Sequence, residues 1–147
     1  MNDDFLFSTK VKVRVSDLNY GGHVHHAQFF NYFHEVRIDY LKNLGFSEFD
    51  LGDGNGLIMV EEKANFKAEV FLGEELWVWT RISSIKRASF KMDYKITKEN
   101  DPHSKPLSLG SSTFMIFDYN KRKPATVPKI FKEKVLSFEK NLAKEEA

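Results

Sequence analysis

The chain has 147 residues, of which 41% are hydrophobic and 14% aromatic, so it is long enough for one domain with a substantial core. Its charge is balanced, with 22 Lys and Arg residues against 21 Asp and Glu residues, and it has no overall field for nucleic acid or an anionic membrane. It has no cysteine, which excludes disulfide bonds, thiolate metal ligands and a cysteine nucleophile.

The sequence contains no pattern for export or membrane insertion. Residues 1–9 are short and acidic and lack the basic and apolar regions of a signal peptide. No apolar run approaches the roughly 20 residues that a membrane-spanning helix needs. We therefore expect a soluble, cytoplasmic protein with one domain over residues 1–147 and a core from about 10 to 130.

The first part of the chain predicts one strand followed by one long helix. Residues 10–16 alternate strictly between polar residues and valines, so the valines share one face of a half-buried strand. From about residue 26 to residue 44, apolar residues recur at the spacing of a helix face. Gly45 follows, where a C-terminal stop is expected.

The rest of the chain predicts four strands and a short helix. Glycines at 52, 54 and 56 indicate a flexible loop, and turn signals separate the β-rich runs that follow. Two prolines then precede an amphipathic segment over 130–142, which predicts a second helix at about 129–143. The predicted strands are 57–71, 75–85, 89–97 and 107–119. This order favours an α+β fold with a largely antiparallel sheet around one helix.

Residues 17–27 join the first predicted strand to the long helix and form the candidate active site. They read Asp-Leu-Asn-Tyr-Gly-Gly-His-Val-His-His-Ala, which brings together an acid, a carboxamide, two glycines and three histidines. A strand-to-helix junction can direct side chains and the N–H groups of a helix N-terminus toward one point.

This motif and the order of elements resemble the hotdog-fold acyl-CoA thioesterases. The nearest branch is that of 4-hydroxybenzoyl-CoA thioesterase and the Tol-Pal-associated short-chain acyl-CoA thioesterases. Their signature is Asp-x-Asp near the end of the first strand, then x-x-Gly-[His or apolar]-Val and a helix rich in aromatic residues. Here it is matched by Asp17-Leu18-Asn19-Tyr20-Gly21-Gly22-His23-Val24 and by residues 29–37. The segments 66–76 and 125–128 also agree in type and order, so the likeness covers about residues 10–130.

The resemblance implies an antiparallel sheet wrapped around a long central helix, and hydrolysis of an acyl-CoA thioester to a free acid and CoA. It implies no separate cofactor, because CoA is part of the substrate, and a homodimer or homotetramer with the site between subunits. Asn19 departs from the pattern, since the 4-hydroxybenzoyl-CoA type has its catalytic carboxylate there. A carboxamide neither accepts the proton nor forms the anhydride that this role requires.

Two kinds of catalytic group are predicted within the motif. The helix N-terminus after Gly22 offers N–H groups to a developing oxyanion, and the backbone N–H of His26 matches the polarising amide of the family. His23 is the first candidate for activating water, because an imidazole titrates near neutral pH, and we expect an acidic limb in the rate profile near pH 6–7. Asn19 is expected to orient His23 or the water, and Asp17 to set the histidine tautomer.

Structural roles explain several of these residues equally well. Asp17 and Asn19 are favoured at turns and helix starts, and the two glycines are backbone devices whatever the function. The side chains of His25 and His26 are expected at solvent or at a subunit contact.

Two further groups of residues are candidates outside the motif. Glu35 on the predicted helix is a second possible acid, although an ion pair with Arg37 explains it as well. Lys86, Arg87 and Lys91, called the basic cluster below, lie near a predicted hairpin turn. By the resemblance they would bind the phosphates of CoA, and a solvated turn is the alternative.

Three other interpretations compete with a thioesterase. Histidines 23, 25, 26 and 34 suggest a metal, since first-row metals favour imidazole, but the spacing matches no recognised ligand motif, and we predict no metal site. A hotdog hydratase or dehydratase would act on an acyl thioester, but the proline-rich signature of that group is missing. A noncatalytic acyl-CoA-binding protein is an alternative because Asn19 replaces the expected carboxylate.

Overall fold

The structure, a computed structural model, describes residues 5–139. Within that range a 3₁₀ turn at Val15–Asp17 lies between the first strand and the first helix. The strands and helices are β1 Phe7–Lys12, α1 His26–Asn43, β2 Gly56–Phe66, β3 Glu75–Ile85, β4 Ser89–Thr97, β5 Ser108–Asp118, β6 Lys123–Pro124 and α2 Lys129–Phe138.

The strands form one antiparallel sheet in the order β1-β3-β4-β5-β2, and the two-residue β6 pairs with the end of β5. Helix α1 packs against one face of this sheet. Its buried face follows the helical repeat and is 0–1% exposed at Phe29, Phe33, Val36 and Tyr40. Burial of each such side chain contributes about 1.5–3 kcal/mol, so this face holds the helix on the sheet. The prediction of an α+β hotdog fold is confirmed.

The predicted bounds of α1 agree with the structure to within one residue. The helix ends at Asn43, and Gly45 adopts a φ of 93°, the left-handed conformation that glycine tolerates. The N–H of Phe46 then donates to the carbonyl of Leu41 at 2.8 Å, which closes the last turn.

The predictions for β3 and β4 are confirmed at both ends, β5 is one residue shorter at each end than predicted, and two other strands differ by more. β2 ends at Phe66 rather than at residue 71, because Val70 leaves the sheet and accepts a hydrogen bond from the N–H of Val24 at 2.7 Å. β1 covers Phe7–Lys12 rather than 10–16. Val15 is 72% exposed in the 3₁₀ turn, so its expected place on the buried face is wrong.

Helix α2 packs its buried Phe131 and Val135 against the end of the sheet, where Phe131 contacts the ring of Phe90. The predicted continuation of this helix past residue 139 lies outside the described residues. Between residues 5 and 139, no helix is both long and apolar enough to cross a membrane.

Candidate active site

Asp17 lies at the base of the motif and is only 2% exposed. Its Oδ2 accepts hydrogen bonds from the N–H of Arg14 at 3.0 Å and the hydroxyl of Tyr32 at 2.8 Å. Its carbonyl accepts from the N–H of His25 at 3.0 Å. Burial, together with the adjacent Asp17 carboxylate, raises the pKa of Tyr32, so this hydroxyl remains a donor. Asp17 therefore ties the 3₁₀ turn to both the start and the second turn of α1.

The tautomer-setting contact predicted between Asp17 and His23 does not form. The Asp17 carboxylate points toward α1, where its oxygens are occupied by Tyr32 and the turn, with the guanidinium of Arg14 3.7 Å away. This direction follows from the 3₁₀ turn, because the strand that would have placed residues 17 and 19 on one face has already ended. Asp17 thus holds the motif against α1 and does not orient His23.

Asn19 shapes the turn that carries the glycines. Its Oδ1 accepts from the N–H of Gly21 at 2.9 Å, and its carbonyl accepts from the N–H of Gly22 at 3.2 Å. Gly22 adopts a φ of 80°, which requires glycine or a tolerant residue. The Asn19 side-chain oxygen is therefore used for structure, whereas its amide N–H groups have no acceptor within residues 5–139.

His23 lies at the open side of this turn, in a short stretch that bridges to Phe71. Its Nδ1 is 3.4 Å from the carbonyl of Val24, and its Nε2 is 3.7 Å from Oε2 of Glu69. The His23 side chain is 27% exposed and that of Glu69 is 66% exposed. The His23 ring makes no hydrogen bond to Asp17 or Asn19, although the backbone carbonyl of His23 accepts from the N–H of Asn19 at 3.1 Å. The carboxylate that faces the ring belongs to Glu69, a residue that the sequence did not indicate.

The N-terminus of α1 presents one backbone donor that has no partner among residues 5–139. The imidazole Nδ1 of His25 accepts from the N–H of Ala27 at 3.1 Å, and the carbonyl of His25 accepts from the N–H of Gln28 at 2.9 Å. The N–H of His26 has no acceptor in the described part of the chain, and it stands at the positive end of the helix dipole. The His26 ring stacks on Phe66 of β2 with centroids 4.0 Å apart.

Glu35 is exposed on α1 and has no hydrogen bond or ion pair within residues 5–139. Its expected ion pair with Arg37 is not formed, because Arg37 turns into the core and donates to Glu48 at 2.8 Å. Glu35 is therefore available to a ligand or to a second copy of the chain.

The basic cluster lies far from His26 within one chain. Phe66, which stacks on His26, pairs with Ser108, and Ser108 pairs with Ile96 at the end of β4. Ser89, next to the basic cluster, precedes Ile96 by seven residues, which is about 23 Å of strand. One copy of the chain therefore does not bring the basic cluster and the motif together.

The middle of α1 carries a buried network that the sequence did not indicate. Arg37 is 4% exposed, and its Nη1 donates to the hydroxyl of Tyr94 at 2.9 Å while its Nε donates to Glu48 at 2.8 Å. His34 contacts the other oxygen of Glu48 at 2.9 Å. Burial tends to raise the pKa of the Glu48 carboxyl, but the hydrogen bonds from Arg37 and His34 outweigh it and hold that pKa below its usual value.

The histidines do not converge on a metal site. His25 caps the helix, His26 stacks on Phe66, and His34 pairs with Glu48. In residues 5–139, no group of three or more His, Cys, Asp or Glu side chains is arranged to hold a metal ion.

A single antiparallel sheet around one helix, with a polar motif and an open N–H at the helix N-terminus, defines a protein of the hotdog class. Residues 13–135 match the Thioesterase-like superfamily, and the chain belongs to this family. The family predicted from the motif is therefore confirmed.

Individual relatives agree with this assignment. The chain is 28% identical over 127 residues to the acyl-CoA thioesterase YbgC of Haemophilus influenzae, covering 84% of this chain and 89% of that protein. A 1,4-dihydroxy-2-naphthoyl-CoA thioesterase from Synechocystis has a similar structure, with a TM-score of 0.76, 23% identity and coverage of 88% and 94%. A thioesterase from Thermus thermophilus, solved with coenzyme A and Zn, has a TM-score of 0.78, 24% identity and coverage of 92% and 96%.

Proposed function

We propose that the protein is an acyl-CoA thioesterase, which hydrolyses an acyl-CoA thioester to a free acid and CoA. The observation that carries this proposal is the pairing, within one short segment, of an open backbone donor at His26 and a partly exposed imidazole at His23. These are the two groups that thioester hydrolysis needs, one for the carbonyl oxygen and one for the water.

The proposed reaction uses these groups in sequence. Nε2 of His23 takes a proton from water as the water oxygen bonds to the thioester carbonyl carbon, and the N–H of His26 donates to the oxygen that becomes negative. The carbonyl re-forms as the carbon–sulfur bond breaks, and the departing thiolate receives the proton from Nε2. The products are the acid and CoA, and no separate cofactor takes part in this proposal.

Asn19 and Asp17 are assigned supporting roles in this mechanism. Asn19 holds the turn through its side-chain oxygen and directs its amide N–H groups toward the water or the substrate. Asp17 fixes the turn against α1 through Tyr32. Glu35, which is exposed two to three turns along the helix, is a second acid that a partner subunit would bring into use.

The edge strand β2 supports the proposal of a homodimer. Three consecutive side chains on it, Ile58, Met59 and Val60, are 37%, 38% and 59% exposed, and Phe66 is 37% exposed. A long apolar edge strand is uncommon in a monomer, because it invites pairing with another strand. We infer that a second copy pairs along β2; a homotetramer would join two such dimers.

This pairing would also complete the substrate site. A twofold axis perpendicular to the sheet pairs identical edge strands antiparallel, so the Gly56 end of one β2 lies beside the Phe66 end of the other. Gly56 pairs with Phe117, close to Met115, which pairs with Ser89 beside the basic cluster. The basic cluster of each copy therefore lies toward the motif of its partner, where it is proposed to bind CoA phosphates.

A cytoplasmic location of the protein stays a prediction.

A panel of acyl-CoA substrates with a thiol-detecting reagent tests the function. We expect the wild type to release CoA from at least one aryl or short- to medium-chain thioester, and His23→Ala to lose about 100-fold or more in kcat/KM. Activity of His23→Ala equal to that of the wild type would exclude His23 as the base.

The same panel separates the two alternatives. A hydratase or dehydratase would change the absorbance of an enoyl thioester without releasing thiol. A binding protein would bind acyl-CoA, detected by calorimetry, with no turnover of any thioester. Either result would overturn the proposed hydrolysis.

A further inference from the structure

Asn19 stands where the resemblance predicts a carboxylate, but the carboxylate of Glu69 lies beside the imidazole of His23. The Nε2 of His23, which is the nitrogen proposed to take the proton, is 3.7 Å from Oε2 of Glu69. The other ring nitrogen, Nδ1, faces the carbonyl of Val24 at 3.4 Å, in keeping with a proton on Nδ1 and a lone pair on Nε2. The Glu69 carboxylate thus faces the reactive side of the ring.

Backbone pairing explains why these two residues meet. Val70 is fully buried, and its carbonyl accepts from the N–H of Val24 at 2.7 Å, while His23 bridges to Phe71. Side chains two residues apart on an extended chain point to the same side, so Glu69 and Phe71 both flank the imidazole. The Phe71 ring stands perpendicular to it, with centroids 6.5 Å apart. The ring is thereby held between an apolar edge and a carboxylate.

Gly21 keeps the remaining side of the imidazole open. A Cβ at this position would lie 2.9 Å from Nε2 of His23 and 3.3 Å from Oδ1 of Asn19. Gly21 does not adopt a positive φ, so the need for glycine here is one of space. The space beside Nε2 is therefore bordered by the Asn19 amide and by Glu69.

We propose that Glu69 is a positioning residue for hydrolysis: its carboxylate stabilises the imidazolium that forms when Nε2 of His23 takes the proton from water. This role rests on the proposed thioesterase function, and in it Glu69 supplies the negative charge that Asn19 lacks. It adds no atom to the reaction, since the proton still passes from water to Nε2 and then to the departing thiolate. A carboxylate near a cationic ring is favourable, and partial exposure keeps the effect modest.

The test combines Glu69→Gln, His23→Ala and the double variant, with Glu133→Gln on the exposed surface of α2 as the matched control. We expect Glu69→Gln to lower kcat about threefold to tenfold with little change in KM, because the charge pair exists only after proton transfer. In the His23→Ala background the same change should cost nothing further, since Glu69 acts through His23. Glu133→Gln should match the wild type.

Salt concentration gives a second readout that a structural role would not move. The advantage of wild type over Glu69→Gln should shrink between about 0.05 M and 1 M NaCl, where ions screen exposed charges. Equal kcat in wild type and Glu69→Gln, an equal loss with and without His23, or a loss independent of salt would each overturn the role of Glu69. If His23→Ala is too slow to measure, the kcat and salt results decide. Failure of the wild type to hydrolyse any thioester would instead overturn the function itself.

Discussion

The two ends of α1 lie beside similar polar side chains that are in opposite states. At the N-terminal end, His23 and Glu69 face solvent, the N–H of His26 has no acceptor in the described residues, and no hydrogen bond joins His23 to its charged neighbour. In the C-terminal half, Arg37 is drawn into the core and donates a 2.8 Å hydrogen bond to the half-buried Glu48. The polar groups at the N-terminal end are partly exposed, whereas those in the C-terminal half are hydrogen-bonded to one another.

Burial explains this difference. A charge taken out of water must be paired and hydrogen-bonded, so the Arg37 network is a condition of folding in this region. Groups at the open end keep their hydration and can remain without partners until a substrate replaces the water. The polar groups at the two ends of α1 therefore differ in exposure and pairing, and substitutions in the two sets should affect different measurements.

The largest expected effect on stability comes from substituting Arg37, which joins the buried network in the middle of α1. Arg37→Met should lower the free energy of unfolding by about 2–4 kcal/mol, because it leaves the half-buried Glu48 and the buried hydroxyl of Tyr94 without the guanidinium. Urea denaturation monitored by circular dichroism measures this. Lys42→Met, an exposed cation on the same helix, is the control and should change stability by less than about 1 kcal/mol. Equal losses in the two variants would remove the distinction between the halves of α1.

A smaller effect is expected from Asn19→Ala at the open end. It should reduce turnover at least about tenfold, because a group that positions water or substrate commonly supplies that much. Asn19→Asp is the informative control, since its carboxylate still accepts the N–H of Gly21 but donates nothing. If the residue acts only through the turn, Asn19→Asp will not fall below the wild type, since the new carboxylate keeps the turn and can only add a base. Turnover in Asn19→Ala equal to that of the wild type would show that neither the turn contact nor the amide of Asn19 matters for catalysis.

How far the fold was predictable depends on how local its signals are. The bounds of α1, β3 and β4 follow from residue spacing within each element, and all three predictions are confirmed. β1 was misplaced because a side-chain contact, from Asp17 to the N–H of Arg14, turns the chain where the valine pattern continues. Alternation alone cannot show such a turn, since it records only which face is apolar.

The candidate site divides in the same way. The motif was recognisable because its residues are contiguous and stand before a helix. The neighbour of His23 was not, because Glu69 reaches it only after residues 70 and 71 pair with the motif across a long separation in sequence. Arg37 and Tyr94 are likewise 57 residues apart. The place of the motif before α1 was therefore predictable, and the side chains that it meets in space were not.

The smallest expected effect tests the buried set at its far end, where Glu139 meets α1. Its Oε2 accepts from the hydroxyl of Tyr40 at 2.5 Å and from the N–H of Ile82 at 3.2 Å. Burial raises the pKa of the Glu139 carboxyl, although these hydrogen bonds and Arg81 oppose it. A raised pKa in the folded state gives stability that is present below the ordinary value and is lost as the pH rises through the raised one.

Glu139→Gln keeps an oxygen for both donors and carries no charge, so it should not show that loss. We expect wild type and variant to be nearly equal in stability near pH 4, and the variant to be more stable at pH 7–8 by about 1 kcal/mol or less. Thermal unfolding of both proteins across this range measures the difference. Glu133→Gln, on the exposed side of α2, should show no such divergence with pH. A difference between wild type and Glu139→Gln that stays constant with pH would mean that burial does not favour the neutral form of the Glu139 carboxyl.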